Sequence, residues 1–183
     1  MGDPNTAIRR WNLFRGAVLI CIAMSVADAS AQVPYSEVFY SSGSLKRIGI
    51  MGWSFGGIVT MLATSRSAAF AVAVDQAGGA LTWDDNAYVR RILVAAAEKS
   101  VTPTLFMVAK NDRTTSSITT LAEIFKKRGV PHQTVIYEPF TPAQGTGVAA
   151  PGHAVFSAQG ASVWESDVVQ FLDRYLGASA STK

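Results

Sequence analysis

From residue 47 onward, short apolar runs alternate with longer segments whose apolar positions recur at helical spacing. Ile48–Met51 is a continuous apolar run that predicts a buried strand, and a helix follows from about Phe55 to Ser65. Ala69–Val74 is the next apolar run, closed by Asp75 and a Gly78-Gly79 turn. Asp84–Lys99 places Tyr88, Ile92, Leu93 and Ala96 on one helical face, with Asp84 and Asp85 at its start. Pro103 introduces the strand Thr104–Ala109, which stops at Lys110-Asn111-Asp112-Arg113. Ile118–Arg128 is amphipathic and ends at Gly129, a residue suited to stopping a helix. Gln133–Tyr137 reads as a further strand, and a Gly/Pro/Ala-rich loop from Pro139 to Gly152 leads to His153. Ser162–Leu176 closes the pattern as a helix with Val163, Val169, Leu172 and Leu176 inward. This alternation predicts an α/β fold, a mostly parallel sheet with flanking helices.

The segment before residue 47 has a different character. Arg9, Arg10 and Arg15 precede an apolar stretch, Ala17–Val26, and Ala29-Ser30-Ala31 has the small-x-small form of a cleavage site. Residues 1–31 are therefore expected to be a signal peptide and residues 32–183 the domain, giving an exported protein, periplasmic or extracellular. The apolar stretch is short for a bilayer-spanning helix, so no stable membrane span is expected after cleavage. Arg9-Arg10 also invites a twin-arginine reading, which the following residues match poorly. Val38-Phe39-Tyr40 could form an edge strand, and Ser41-Ser42-Gly43-Ser44 a turn.

Composition changes this picture little. A chain of 183 residues with 49% hydrophobic and 16% charged residues suits one domain with a real core and not a disordered chain. The net charge of +3 comes from scattered basic residues. The short run Lys126-Lys127-Arg128 ends a predicted helix, where cations complement the helix dipole, and no nucleic-acid partner is expected. The single cysteine, Cys21, falls in the apolar leader, so neither disulfides nor cysteine catalysis is expected in the domain.

The candidate chemistry centres on Gly52-Trp53-Ser54-Phe55-Gly56-Gly57, where a strand pattern passes directly into a helix pattern. A glycine-x-serine-x-glycine turn of this kind can lift a serine hydroxyl to the tip of the sheet, because its glycines permit close approach of strand and helix. Such a serine needs a base to take its proton and an acid to orient that base. Ser54, Asp112 and His153 occur in the order nucleophile, acid, base, each in or near a connection that follows a strand. The other histidine, His132, falls at the opposite end of the sheet, and Asp75 is the runner-up acid because it also ends a strand. The Phe55 backbone N–H is the candidate oxyanion donor. No ligand-spaced His, Cys and carboxylate set and no phosphate loop suggests a metal or a cofactor.

Taken with Leu105-Phe106-Met107-Val108-Ala109-Lys110-Asn111-Asp112 and Gly152-His153-Ala154-Val155-Phe156, the elbow segment resembles the dienelactone hydrolase-like branch of the α/β-hydrolase superfamily. The resemblance covers about Arg47–Leu176. It implies Ser54 as nucleophile, Asp112 as acid, His153 as base and a small acyl compound as substrate. The namesake enzymes carry cysteine at the elbow, so serine here points toward esterase and peptidase relatives. The resemblance also implies strands before the elbow and a loop supplying a second oxyanion donor. After cleavage only a short piece would precede the elbow strand, so a partial α/β-hydrolase fold is expected. One edge of Ile48–Met51 would then lie open, favouring a homodimer or poor solubility. The missing segment also supports a rival reading, a catalytically weak or inert remnant acting as a binding module. A prolyl oligopeptidase-type peptidase shares the elbow signature but would need a gating domain for which there is no room.

Overall fold

The structure, a computed structural model, describes the main chain of residues 17–22 and residues 47–144 and 150–176 in full. Five strands form one sheet in the sequential order β1-β2-β3-β4-β5, with every neighbouring pair parallel. They are β1 (Ala17–Ile22), β2 (Arg47–Trp53), β3 (Phe70–Gln76), β4 (Thr104–Ala109) and β5 (His132–Tyr137). The helices are α1 (Phe55–Thr64), α2 (Ala87–Ala97), α3 (Ser116–Arg128) and α4 (Ala161–Leu176). A 3₁₀ helix, Pro151–Phe156, precedes α4. The expected α/β architecture is what the chain adopts.

Strand alternation explains the layering. A Cβ on Gly49 would meet Val72, Leu172 and Leu176, whereas one on Gly52 would meet Gly56 and Thr60. Odd positions of β2 therefore face α4 and even positions face α1, as the period of two requires. The helices α1, α2 and α3 pack side by side on one face, and α4 covers the other. The inner strand β4 is buried at all six positions, as a strand covered on both faces must be. On the three-helix face Phe106 and Phe125 meet edge to face at 5.0 Å between centroids, docking α3. On the other face the Tyr137 hydroxyl donates to Asp167 Oδ2 at 2.6 Å and ties β5 to α4. Burial, then that bond and the Asp167 charge, push the phenol well above its ordinary value.

Helix ends follow the expected chemistry with small shifts. Gly129 closes α3 in the left-handed region at φ 68°, as its place after the basic run predicted. The helix expected from Asp84 starts later, because the Asn86 side chain caps it by accepting from the N–H groups of Tyr88 and Val89. The phase expected for the last helix needs correction. Val168 and Phe171 are its buried residues, Leu172 and Leu176 pack partly buried, and Val163 and Val169 are exposed. Val163 and Val169 do not lie on the stripe set by Val168, Phe171, Leu172 and Tyr175, whose spacing is helical.

The largest departure concerns the N-terminal side of the elbow. Ala17–Ile22, which has the composition of a leader core, is a strand paired along its whole length with Arg47–Gly52. The elbow strand is therefore flanked by β1 and β3, and the open edge expected at Ile48–Met51 is closed. A homodimer through that edge loses its premise. The candidate edge strand at Val38–Tyr40 and the Ser41–Ser44 turn lie outside the described residues. Among the described residues, no helix is long and apolar enough to cross a membrane.

Two predictions follow from the elbow strand's surroundings. The Ser54 N–H points to β3, so by alternation the Gly49 and Met51 amides point to β1 and should exchange slowly in the full chain and much faster after removal of residues 1–31. Equal exchange in both forms would contradict the pairing with β1. Substituting Gly52→Ala would put a Cβ 2.1 Å from the Gly56 carbonyl oxygen, with backbone rather than a yielding side chain in the way. Denaturant melts should show a loss of about 1–3 kcal/mol or more, the usual cost of overpacking, whereas unchanged stability would contradict the close approach.

Candidate active site

The site is built from the carboxyl ends of the strands. Successive main-chain bonds carry the sheet just past its last paired residues: Ser54 N–H to Gln76 O at 2.8 Å, Ala77 N–H to Met107 O at 2.8 Å, and Lys110 N–H to Tyr137 O at 2.9 Å. Each connection leaving the sheet at this edge thus starts from a fixed height. Functional groups in parallel sheets collect at such edges.

Ser54 sits at φ 58° and ψ −113°, between the end of β2 and the first residue of α1. Positive φ in a residue with a Cβ is strained by roughly 1–3 kcal/mol and persists only where its surroundings enforce it. Here enforcement comes from the Gln76 carbonyl in front and the Ile58 N–H to Ser54 O bond behind. No side chain caps α1, so its first-turn N–H groups lack that partner. The Phe55 N–H is among them, next to the serine and at the positive end of the helix dipole, the correct place for a donor to a developing oxyanion. The Phe55 ring itself is 57% exposed.

Asp112 and His153 come together as the chain order suggested. His153 Nδ1 lies 2.8 Å from Asp112 Oδ2, and both side chains are buried. The other carboxylate oxygen, Oδ1, accepts the Arg113 N–H at 2.7 Å. With both oxygens engaged, the carboxylate is held in one orientation and fixes the imidazole. His153 belongs to the 3₁₀ helix Pro151–Phe156 rather than to an open loop. Its ring lies 5.6 Å from the ring of Trp53, the residue before the serine, which brings the imidazole to the elbow. Among the described residues His153 Nε2 has no hydrogen-bond partner, so no bond to Ser54 is formed. A catalytic hydrogen bond can be absent before substrate arrives and form in the complex.

Two residues that sequence reasoning passed over make the pair possible. Asn111 grips the connection after β5 through both ends of its amide, accepting the Phe140 N–H at 2.9 Å and donating to Phe140 O at 2.8 Å. Its own carbonyl accepts the Gly152 N–H at 3.3 Å. A Cβ on Gly152 would lie 2.3 Å from Asn111 Oδ1 and 2.5 Å from Asp112 N, so only glycine lets the His153 turn lie flat on the acid's loop. Their position beside the acid and the base in sequence was the available signal.

The remaining candidates fall elsewhere. His132 opens β5 at the amino end of the sheet, and its Nδ1 is 2.9 Å from Val130 O. Asp75 is fully buried, but on the α1 face beside Gly57 and Gly78, away from the imidazole on the α4 side. Burial pushes its carboxyl up to about 7, with the Gly78 N–H pulling the other way. Asp75 therefore does not compete with Asp112 for the imidazole. Among the described residues no group of three or more His, Cys, Asp or Glu side chains is placed to hold a metal ion.

Solved structures share this architecture. An acylaminoacyl peptidase from Pyrococcus horikoshii is 18% identical with a TM-score of 0.54, over 75% of this chain and 25% of that one. An esterase from Pyrococcus furiosus is 15% identical with a TM-score of 0.52, over 72% and 54%. A dipeptidyl peptidase 4 from Porphyromonas gingivalis is 17% identical with a TM-score of 0.52, over 70% and 20%. At these identities the likeness is one of fold, and the chain spans between about a fifth and about half of each structure. No curated protein sequence matches. The dienelactone hydrolase family model matches residues 13–175, from before β1 to the end of α4, and the chain belongs to that family.

Proposed function

We propose that this protein is a serine hydrolase that cleaves small ester or related acyl substrates through an acyl-enzyme. The observation that carries the reading is the buried 2.8 Å contact between His153 Nδ1 and Asp112 Oδ2, beside a serine held at positive φ at a strand-to-helix turn. Asp112 holds the imidazole so that Nδ1 donates to the carboxylate and Nε2 is the basic nitrogen. His153 Nε2 takes the Ser54 proton as Oγ attacks the substrate carbonyl. The Phe55 N–H donates to the resulting oxyanion. His153 then returns the proton to the leaving group, and water, deprotonated by the same nitrogen, releases the acid and regenerates Ser54.

A second reading, an inert hydrolase-like binding module, draws on the chain's short span of its structural neighbours. Hydrolysis of p-nitrophenyl acetate decides between them. Wild type should turn over the ester, and Ser54→Ala or His153→Ala should lower kcat by a factor on the order of 10⁴ or more. Asp112→Asn should fall by up to about 10⁴ through loss of the correct tautomer. A folded wild type with no turnover would favour the binding module.

Export with cleavage after Ala31 and participation of β1 in the sheet make opposite demands on the same residues. We propose that the working protein keeps β1, since the family match begins at residue 13 and the strand pairs along its full length with β2. Intact mass of active protein from a native-like host should include residues 17–22. A mass beginning at Gln32 in fully active material would overturn this.

A further inference from the structure

Asp75 is the only fully buried carboxylate outside the Asp112–His153 pair among the described residues, and the mechanism above leaves it unused. It lies directly under the elbow. Its Oδ1 accepts the Gly78 N–H at 2.8 Å, and Oδ2 is buried with no partner. A Cβ on Gly57, in the first turn of α1, would come within 2.4 Å of Oδ1, and one on Gly78 within 2.4 Å of the same atom. The carboxyl therefore occupies the space that two glycines vacate, one in each turn.

Those two turns are strained in the same sense. Ser54 has φ 58° and Ala77 has φ 55°, the only described residues other than glycine with positive φ. Between them, the Gln76 carbonyl accepts the Ser54 N–H, and the Ala77 N–H is held by Met107 O. Residues 75–78 thus form a cradle whose main chain grips the Ser54 turn from the front and whose Asp75 side chain wedges it from below.

We propose that Asp75 is a positioning residue for the hydrolysis: wedged between Gly57 and Gly78, it holds the Ser54 and Ala77 turns in their strained conformations and so sets the aim of Ser54 Oγ and the Phe55 N–H. The proposal rests on Ser54 as nucleophile.

The surroundings also define the form in which Asp75 does this. Neither α1, β4 nor the turn Ala77–Trp83 carries a charged residue, and β2 has only Arg47, at its far end. The helix α2 reaches Gly79 through Val89 and Leu93. Its cations are engaged elsewhere: Arg90 donates to the Trp83 and Asp84 carbonyls, and Arg91 lies over the Tyr88 ring. Among the described residues no cation compensates a carboxylate here, and burial holds the acid protonated up to about pH 7. The unfolded chain ionises Asp75 near the ordinary value of about 4. The folded state accordingly loses stability as pH rises across that window and loses no more above it.

The test compares wild type with Asp75→Asn and Asp75→Ala in two readouts: the rate of inactivation by a small fluorophosphonate, and the melting temperature from about pH 4 to pH 8. Asp75→Ala should be inactivated at least about tenfold more slowly, as expected for a misaimed nucleophile, while Asp75→Asn should stay within about threefold of wild type. The melting temperature of Asp75→Asn should gain on wild type as pH rises toward 7, then run parallel to it. Where Asp75→Ala fails to fold, Asp75→Ser replaces it in the rate measurement. A truncated variant inactivated at the wild-type rate would overturn the positioning role while leaving Ser54 as nucleophile. Loss of rate in Asp75→Asn equal to that in Asp75→Ala, or a melting difference that does not change with pH, would overturn the neutral wedge. A wild type that the reagent does not touch would sink the nucleophile assignment and this proposal with it.

Discussion

The close approach of β2 and α1 at the elbow is the constraint on which the rest of the site depends. A Cβ at Gly52 would penetrate the Gly56 carbonyl, and one at Gly57 would penetrate Asp75. Because both positions are glycine, the helix can start within one residue of the strand's end, and Ser54 is forced into positive φ between them. That strain is useful. It sets a serine at the sheet's edge and leaves the uncapped first turn of a helix immediately behind it, so a hydroxyl and a helix N–H come from adjacent residues.

Parallel register then does for Asp112 and His153 what the elbow does for the serine. The bonds from Ser54, Ala77 and Lys110 to the neighbouring strand place three connections along one edge of the sheet. Asp112 leaves β4 two residues beyond Lys110 and is turned toward the α4 side, where the 3₁₀ helix delivers His153. Asn111 anchors Phe140, just after β5, and Gly152, just before His153, beside Asp112. Two buried groups that sequence places far apart thus meet at hydrogen-bonding distance.

Much of this was legible in the sequence because local chemistry and global fold agree there. The elbow glycines and the Gly129 helix stop each have a local physical meaning that the structure respects, and Asp112 and His153 meet at hydrogen-bonding distance. What escaped had two possible local meanings. Six apolar residues at Ala17–Ile22 suit a leader core or a buried parallel strand equally well, and the strand shows only through its pairing with Arg47–Gly52. The phase of α4 was misread because valines at 163 and 169 are apolar without lying on the stripe set by Val168 and Phe171. Asn111 offered only its place beside Asp112 as a signal: its partner, Phe140, lies across a helix and a strand, and no local pattern announces such a contact.

The central claim is that Ser54 is the residue that becomes acylated, with His153 oriented by Asp112 as its base. Treating the intact, folded protein with a fluorophosphonate and mapping the modified peptide by mass spectrometry tests this most directly. The account predicts one equivalent of phosphonate on the peptide containing Gly52-Trp53-Ser54-Phe55-Gly56, at Ser54, and none when His153 is replaced by alanine. Modification at a different residue, or equal modification of Ser54 with and without His153, would contradict it.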